Sequence, residues 1–405
     1  MGVPLLINLK LRLGLERFFE EGIYHDYKRA RIALLTHQAA LDENLRLSFE
    51  LFYHYFGERL SLLFSPQHGL FSDKQANMIP SFDEREPLFG LKVKSLYGPR
   101  LSPDLEDLQE IDALFVDLVD VGCRVYTYIW TLYLLMETCE KLDKEVVILD
   151  RPNPLGNYPE GPVLESSYFS FVGLTSLPMR HGLTLGEIAL LFKKRHFPRL
   201  NLRIIPLKNY SPKELYPYFQ RPWILPSPNL PTFECALVYP GMVLLEGTNL
   251  SEGRGTTLPF LIFGAPFLRL KPLKELFEEA FPAKEWGLKL RPLAFEPTFD
   301  KWKGKRCFGF QIHILDPKCF NPVRFALKLL KIIKDTHEEF DFLPPPYEFE
   351  REKKPIEILL GNRALLAWLL KDQDIVLEEE LNKNLELFKE ENKSIRLYSS
   401  PQHLA

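Results

Sequence analysis

Short apolar runs alternate with helical patterns through the first half of the chain. The apolar runs cover residues 31–37, 60–65, 93–96, 113–118 and 146–150, and helical patterns lie between them at 45–56, 103–109 and 126–141. Short continuous apolar strands that alternate with helices are typical of a parallel sheet covered on both faces. The pattern therefore predicts an α/β fold with a Rossmann-like, doubly wound parallel sheet.

The second half of the chain has a different organisation. Residues 202–206 predict a last strand of the sheet, and residues 210–233 form a connection rich in Pro and aromatic residues. Beyond it, residues 307–315 predict a strand, 323–334 a helix and 355–398 a charged helical tail. We predict an N-terminal domain over 1–230 and a smaller α+β domain over 231–405.

Polar residues follow the predicted strands. In open α/β sheets, ligands bind beyond the carboxyl ends of the strands. The candidates in these positions are Gln67, His68, Tyr97, Asp120, Arg124, Tyr126, Asp150 and Asn153. Any one of them can instead cap a helix or form a buried ion pair. None of the turns reads GxGxxG or GxxxxGK[ST], so the sequence predicts no dinucleotide or nucleoside triphosphate cofactor.

Two further segments supply candidate binding residues. Arg180 and His181 directly precede a helix predicted at residues 184–194, with Thr184 as its N-cap and Glu187 in a capping box. A helix N-terminus beside a guanidinium is a good setting for an anion, although a structural ion pair of Arg180 is an equal alternative. Asn229, in the long connection, is a candidate sugar-facing group.

The polar stretch at 244–257, LLEGTNLSEGRGTT, is the richest in candidate chemistry. It carries Glu246, Asn249, Glu252 and Arg254 among three glycines and is flanked by the apolar runs ALVYPGMVLL and LPFLIFGAPF. Gly, Ser, Thr and Asn favour an ordered loop over regular structure. Polar groups held between buried segments need partners or a substrate, so we expect this loop to enter the site.

Composition narrows the function classes. A formal net charge of −3 over 405 residues gives no nucleic-acid or membrane signature. The five cysteines are scattered without a CxxC pair, and no HxH or HExxH pairing occurs, so neither a metal site nor a disulfide framework is indicated. Charged residues interrupt the apolar N-terminus, which favours a cytoplasmic protein without a signal peptide or membrane span.

The motifs together resemble the exo-β-N-acetylmuramidase (NamZ-like) family. The segments FSPQHG, DLVDVGCRVYTYI, LDRPNPLG, SLPMRHGLTLGEIA and LLEGTNLSEGRGTT occur in that order over most of the chain. The resemblance implies a glycoside hydrolase that removes N-acetylmuramic acid from the non-reducing end of a peptidoglycan-derived sugar or muropeptide fragment, in a cleft between two domains. The lactyl carboxylate of that sugar needs a cation, and Arg124, Arg180 and Arg254 fit by charge, with Arg254 the first choice.

The chain departs from the family at Gln67, where many relatives have a glutamate that is the natural catalytic acid. A glutamine cannot donate and retake a proton as a carboxylic acid does. Either another carboxyl group acts, with Glu246, Glu252, Asp120 and Asp150 available, or the activity is changed or lost. In the first case we predict Glu246 as the acid and Glu252 beside Arg254 as nucleophile or base. His68 is expected to bond to the substrate or to orient the acid. The substrate's N-acetyl group can alternatively act as internal nucleophile. A binder of muropeptide sugars without activity, or a hydrolase of another N-acetylated acidic sugar, is the alternative function.

Overall fold

The computed structural model describes residues 10–75 and 78–398, and its N-terminal half is built on one seven-stranded sheet. In chain order, the strands of this half are β1 (Ile32–Thr36), β2 (Leu60–Ser65), β3 (Glu84–Arg85), β4 (Lys92–Ser95), β5 (Ala113–Asp117), β6 (Glu145–Leu149), β7 (Glu160–Val163), β8 (Pro178–Arg180) and β9 (Leu202–Ile205). The strand order in the sheet is β3-β4-β2-β1-β5-β6-β9. All neighbours are parallel except β3, and β7 and β8 form a separate antiparallel pair. The predicted doubly wound sheet is confirmed.

The sheet is apolar because helices cover both of its faces. Every residue of β1 and of β5 is buried. The helices of this half are α1 (Gly14–Glu20), α2 (Ser48–Phe56), α3 (Leu105–Gln109), α4 (Tyr128–Lys141) and α5 (Leu185–Arg195). Thr184 caps α5 as predicted: its hydroxyl accepts from the Glu187 amide, and the Glu187 carboxylate accepts from the Thr184 amide. No helix in the described part of the chain is long and apolar enough to cross a membrane.

The C-terminal half has a small antiparallel sheet and helices, which confirms the predicted α+β unit. Its strands β10 (Ile262–Ala265), β11 (Leu288–Phe295) and β12 (Cys307–Ile314) pair in the order β10-β12-β11. Its helices are α6 (Phe233–Met242), α7 (Leu270–Ala280), α8 (Ala283–Trp286), α9 (Pro322–Thr336), α10 (Pro355–Leu360), α11 (Arg363–Lys371), α12 (Leu377–Asn382) and α13 (Leu385–Asn392). The division at residue 230 stays a prediction.

The two halves are joined by buried contacts. Arg124, after β5, is fully buried, and its Nη2 donates to the carbonyl of Leu359 at the end of α10, 2.8 Å away. The end of the chain returns to the first half, where the Tyr398 hydroxyl donates to the Asp150 carboxylate at 2.5 Å. These contacts hold the loops of the C-terminal half over the carboxyl ends of the N-terminal strands.

Candidate active site

A cavity lies where three loops meet at the carboxyl ends of β2 and β4. The loops are the turn after β2, the polar stretch at 244–257 and the Pro-rich segment at 343–350. The outer part of the cavity has a volume of about 270 Å³, and the inner part is narrow and polar. Glu246, Arg254 and Tyr347 line both parts. The polar stretch thus lines this cavity, and its role in a site between the two domains stays a prediction.

The outer wall is a cluster of two carboxylates and two cations. Arg254 Nη2 donates to Glu246 Oε1 at 2.7 Å, and Arg254 Nε lies 3.3 Å from Glu252 Oε1. Lys301 Nζ lies 2.7 Å from Glu252 Oε2. The Tyr347 hydroxyl donates to the second oxygen of Glu246 at 2.5 Å. Cationic and hydroxyl donors therefore surround both glutamates of this wall.

Arg254 keeps its charge in this cluster. Burial alone disfavours a guanidinium cation, but the facing Glu246 and Glu252 more than compensate and raise the pKa of Arg254. Its Nη1 has no hydrogen-bond partner among the described residues. One donor of a buried cation is therefore available to an anionic group in the cavity.

The inner part holds Gln67 beside a glutamate that the sequence did not single out. The Thr127 hydroxyl donates to Gln67 Oε1 at 2.5 Å, so the amide nitrogen points the other way and donates to Glu348 Oε1 at 3.1 Å. The Tyr97 hydroxyl donates to Glu348 Oε2 at 2.7 Å. Burial raises the pKa of Glu348 to about 7, although the hydrogen bonds from Tyr97 and Gln67 act in the opposite direction. Glu348 can thus lose and regain a proton near neutral pH.

His68 completes the inner wall as a neutral imidazole. Burial lowers the pKa of His68 to about 4. Its Nδ1 donates to the carbonyl of Lys74 at 2.7 Å, because a carbonyl oxygen can only accept. That tautomer leaves Nε2 as an acceptor. Tyr126 and Asn229 line the same part, with Asn229 Nδ2 bonded to the carbonyl of Gln75 at 2.7 Å.

The match to known proteins covers both halves of the chain. Models of the N-terminal and C-terminal parts of the exo-β-N-acetylmuramidase NamZ match residues 32–234 and 237–398. The chain belongs to the NamZ family. A curated relative, the peptidoglycan β-N-acetylmuramidase NamZ of Bacillus subtilis (strain 168), is 40% identical over 325 residues, which is 78% of this chain and 77% of the relative. The resemblance inferred from the motifs is confirmed.

Solved structures show the same fold. The crystal structure of a DUF1343 family protein from Bacteroides fragilis NCTC 9343 superposes with a TM-score of 0.83 at 26% identity, covering 96% of this chain and 100% of that one. A second DUF1343 family protein from the same organism gives a TM-score of 0.74 at 27% identity, with 96% and 99% covered. The arrangement of the two halves in this NamZ family member is thus shared over 96% of its chain.

Several residues predicted for the site instead support the scaffold. Asp150 is fully buried and accepts from the Thr184 hydroxyl and the Gly186 amide, each at 2.8 Å, as well as from Tyr398. Asn153 donates to the carbonyl of Leu183 at 3.0 Å. These bonds fix the start of α5 to the end of β6. Both residues lie outside the cavity because their polar atoms face the helix.

A second set of predicted site residues links the loop after β5 to the β7–β8 pair. His181 Nδ1 accepts from the Leu183 amide, so its Nε2 donates to Asp120 Oδ2 at 3.1 Å. Arg180 pairs with Glu160 at 3.2 Å and donates to the carbonyl of Leu155. The structural ion pair of Arg180 is thus present, whereas Arg180 Nε has no hydrogen-bond partner among the described residues, and the anion site before α5 stays a prediction.

Arg124 and Asn249 are also turned away from the cavity. Arg124 points into the contact between the halves, where burial lowers its pKa to about 10. Asn249 Nδ2 donates to the carbonyl of Glu339 at 2.7 Å, and its Oδ1 accepts from the Asp341 amide at 3.1 Å. Of the three arginines considered for the lactyl carboxylate, Arg254 alone lines the cavity.

The point at which the strand order reverses, between β1 and β5, carries a separate cavity of about 130 Å³. Doubly wound sheets usually bind their ligands there. The cations that line it are paired: Arg151 Nη2 donates to Asp117 at 2.8 Å, and Arg221 donates to Glu16 at 2.8 Å. The cavity lined by Glu246, Glu252 and Arg254 lies instead over β2 and β4.

The glycines of the polar stretch allow its close packing against the segment that carries Lys301. Gly255 has φ of +77°, and a Cβ added there would lie 2.6 Å from the carbonyl oxygen of Phe299. Gly304, in the same segment, has φ of +68° but open space around it. Both positions strain an L residue, and only Gly255 adds a steric clash.

Gly255→Ala is therefore expected to destabilise the protein more than Gly304→Ala. Alanine in the left-handed region costs about 1 kcal/mol at either position, and the clash at Gly255 adds roughly 2 kcal/mol or more. The free energy of unfolding, measured in urea, checks this. Equal losses for the two variants would show that the Phe299 backbone moves aside without cost.

Proposed function

We propose that this chain is a glycoside hydrolase that removes N-acetylmuramic acid from the non-reducing end of peptidoglycan fragments. The observation that carries the proposal is one cavity with carboxyl groups in two different environments. Glu246 and Glu252 face cations, whereas Glu348 is buried among neutral donors. Glycosidases of both stereochemical classes need one carboxylic acid and one carboxylate at the scissile bond. The B. subtilis relative, a peptidoglycan β-N-acetylmuramidase, supports the same substrate class.

The charge distribution supports an acidic sugar as the substrate. N-acetylmuramic acid carries a lactyl carboxylate, and Arg254 Nη1 is a buried cationic donor without a hydrogen-bond partner among the described residues. Carboxylates bind best to guanidinium donors that are shielded from water. We assign Arg254 to this contact and the wall of Glu246 and Glu252 to the sugar's anomeric side.

The test is the release of free N-acetylmuramic acid from two substrates. One is the β-1,4-linked disaccharide of N-acetylmuramic acid and N-acetylglucosamine, and the other is the 4-nitrophenyl β-glycoside of N-acetylmuramic acid. Turnover of both, with no release from chains capped at the non-reducing end, is the expected result. Binding of the disaccharide without turnover of either substrate would instead favour a sugar-binding protein, and turnover of a different N-acetylated acidic sugar alone would correct the substrate.

A further inference from the structure

Glu348 lies in a tight turn that projects its carboxyl group into the inner cavity. The amide and carbonyl groups of Tyr347 and Glu350 bond to each other in both directions at 2.9 Å. Between them, Glu348 has φ of +44° and Phe349 φ of +67°, the left-handed region that residues other than glycine rarely adopt. Backbone strain of this kind persists where a structure over-determines it, and it is frequent at functional sites. The side chain is only 3% exposed.

The partners of Glu348 distinguish it from the other carboxylates of the cavity. No lysine or arginine pairs with it among the residues that the structure describes, whereas Glu246 pairs with Arg254 and Glu252 with Arg254 and Lys301. Asp300, which also lines the outer part, is exposed. A buried carboxyl group with neutral donors is the environment that keeps a carboxylic acid protonated near neutral pH.

Gln67 holds this carboxyl group in place. Its amide is oriented by Thr127 so that Nε2 donates to Glu348 Oε1. A donated hydrogen bond favours the ionised form of its acceptor, so both Gln67 and Tyr97 limit how far burial raises the pKa of Glu348. A carboxylate at position 67 would face Glu348 at a similar separation and would have to share a proton with it.

We propose that Glu348 is the general acid of this enzyme and that Gln67 is the residue that positions it. This rests on the proposed hydrolase function. The Glu348 carboxyl gives its proton to the glycosidic oxygen as the bond between that oxygen and C1 breaks, and the bonding electrons leave with the departing sugar alcohol. Water then forms the new C1–O bond and returns a proton to the Glu348 carboxylate, so the net reaction is hydrolysis.

The deciding experiment compares the two substrates in Glu348→Gln. A sugar alcohol leaves only when it is protonated, whereas 4-nitrophenolate leaves without help. Loss of a general acid costs roughly 10²–10⁴-fold in rate, so we expect turnover of the disaccharide to fall by about 10³-fold and turnover of the nitrophenyl glycoside by about tenfold or less. Glu352→Gln, an exposed carboxylate in the same segment, is the matched control and should behave like the wild type.

The pH profile gives a second readout that does not depend on Glu348→Gln folding. The wild type should lose kcat/KM as the pH rises through about 7, because the acid deprotonates. Gln67→Leu removes a hydrogen-bond donor that stabilises the ionised form of Glu348, so the pKa of Glu348 should rise. The alkaline limb of the kcat/KM profile should then move to higher pH, and kcat should fall. Tyr97→Phe should move the limb in the same direction.

The outcomes separate this assignment from the function itself. A wild type that hydrolyses both substrates, with Glu348→Gln equally active on both, would overturn Glu348 as the acid and leave the hydrolase function intact. So would an alkaline limb that does not move in Gln67→Leu. A wild type without turnover on either substrate would overturn both.

Discussion

Replacing Arg254 by methionine is expected to lower kcat/KM for the muramyl disaccharide about 10³-fold. Breaking a buried charge pair costs about 3–5 kcal/mol, and each 1.4 kcal/mol corresponds to a factor of ten. Arg254 is the cation that Glu246 and Glu252 share, and its Nη1 is the donor assigned to the lactyl carboxylate. Methionine fills a similar volume but removes the shared cation from two buried carboxylates, while the contacts from Lys301 and Tyr347 remain. We expect weaker binding of the anionic sugar and a less ordered outer wall.

The measurement separates these two effects by using a second sugar. The 4-nitrophenyl β-glycoside of N-acetylglucosamine lacks the lactyl group but keeps the N-acetyl group and the anomeric linkage. If Arg254 binds the lactyl carboxylate, the variant should lose most of its preference for the muramide over the glucosaminide. An equal loss on the two sugars would show that Arg254 only holds the glutamates in place. Arg291→Met, an exposed arginine bonded to Gln311, is the control for the substitution itself.

The sheet was predictable because its strands are short, continuously apolar and separated by helical patterns. The predicted run at 60–65 is β2, and the strands predicted at 113–118 and 146–150 differ from β5 and β6 by one residue at the ends. The capping box at Thr184 was equally visible because it depends on residues three positions apart. Patterns that depend only on residues close together in the chain can be recognised from the sequence alone.

Glu348 was not predictable from the same patterns. It is 281 residues away from Gln67 in sequence, and only the packing of the two halves brings them into contact. Its segment, PPPYEFE, has no helical or strand period, and the preceding prolines mark it merely as an ordered connection. The signal that the sequence offered was a tyrosine and a glutamate directly after three prolines. A rigid connection can hold such a side chain in a fixed direction, as a functional site requires.

The polar residues at strand ends show why a position in the fold does not define a role. Gln67 and His68 line the cavity and Tyr97 donates to Glu348 there. Asp150 and Asn153, at an equivalent position after β6, instead bond to the start of α5. Helix starts present free amides that need acceptors, so an aspartate there satisfies backbone as readily as it binds a ligand. Only the folded arrangement distinguishes the two uses.

Glu252→Gln is expected to lower kcat about 10³-fold on both the disaccharide and the nitrophenyl glycoside, since general-base or nucleophilic assistance contributes roughly 10²–10⁴-fold whatever the leaving group. Glu252 is 1% exposed and lies between Arg254 and Lys301, and the proposed function assigns it to the anomeric side of the sugar. Glutamine has nearly the same shape but no charge. The contrast with Glu348→Gln, which spares the activated substrate, assigns one carboxyl group to each side of the bond.

Azide provides the control for this substitution. A small anion that occupies the place of the missing carboxylate should restore turnover of the nitrophenyl glycoside by Glu252→Gln, and the anomer of the glycosyl azide, read by NMR, reports the face of attack. If Glu252→Gln keeps wild-type kcat, the protein supplies no nucleophile or base at this position. The substrate's own N-acetyl group would then attack C1, and the carboxylate cluster would serve to hold Arg254 for the lactyl group.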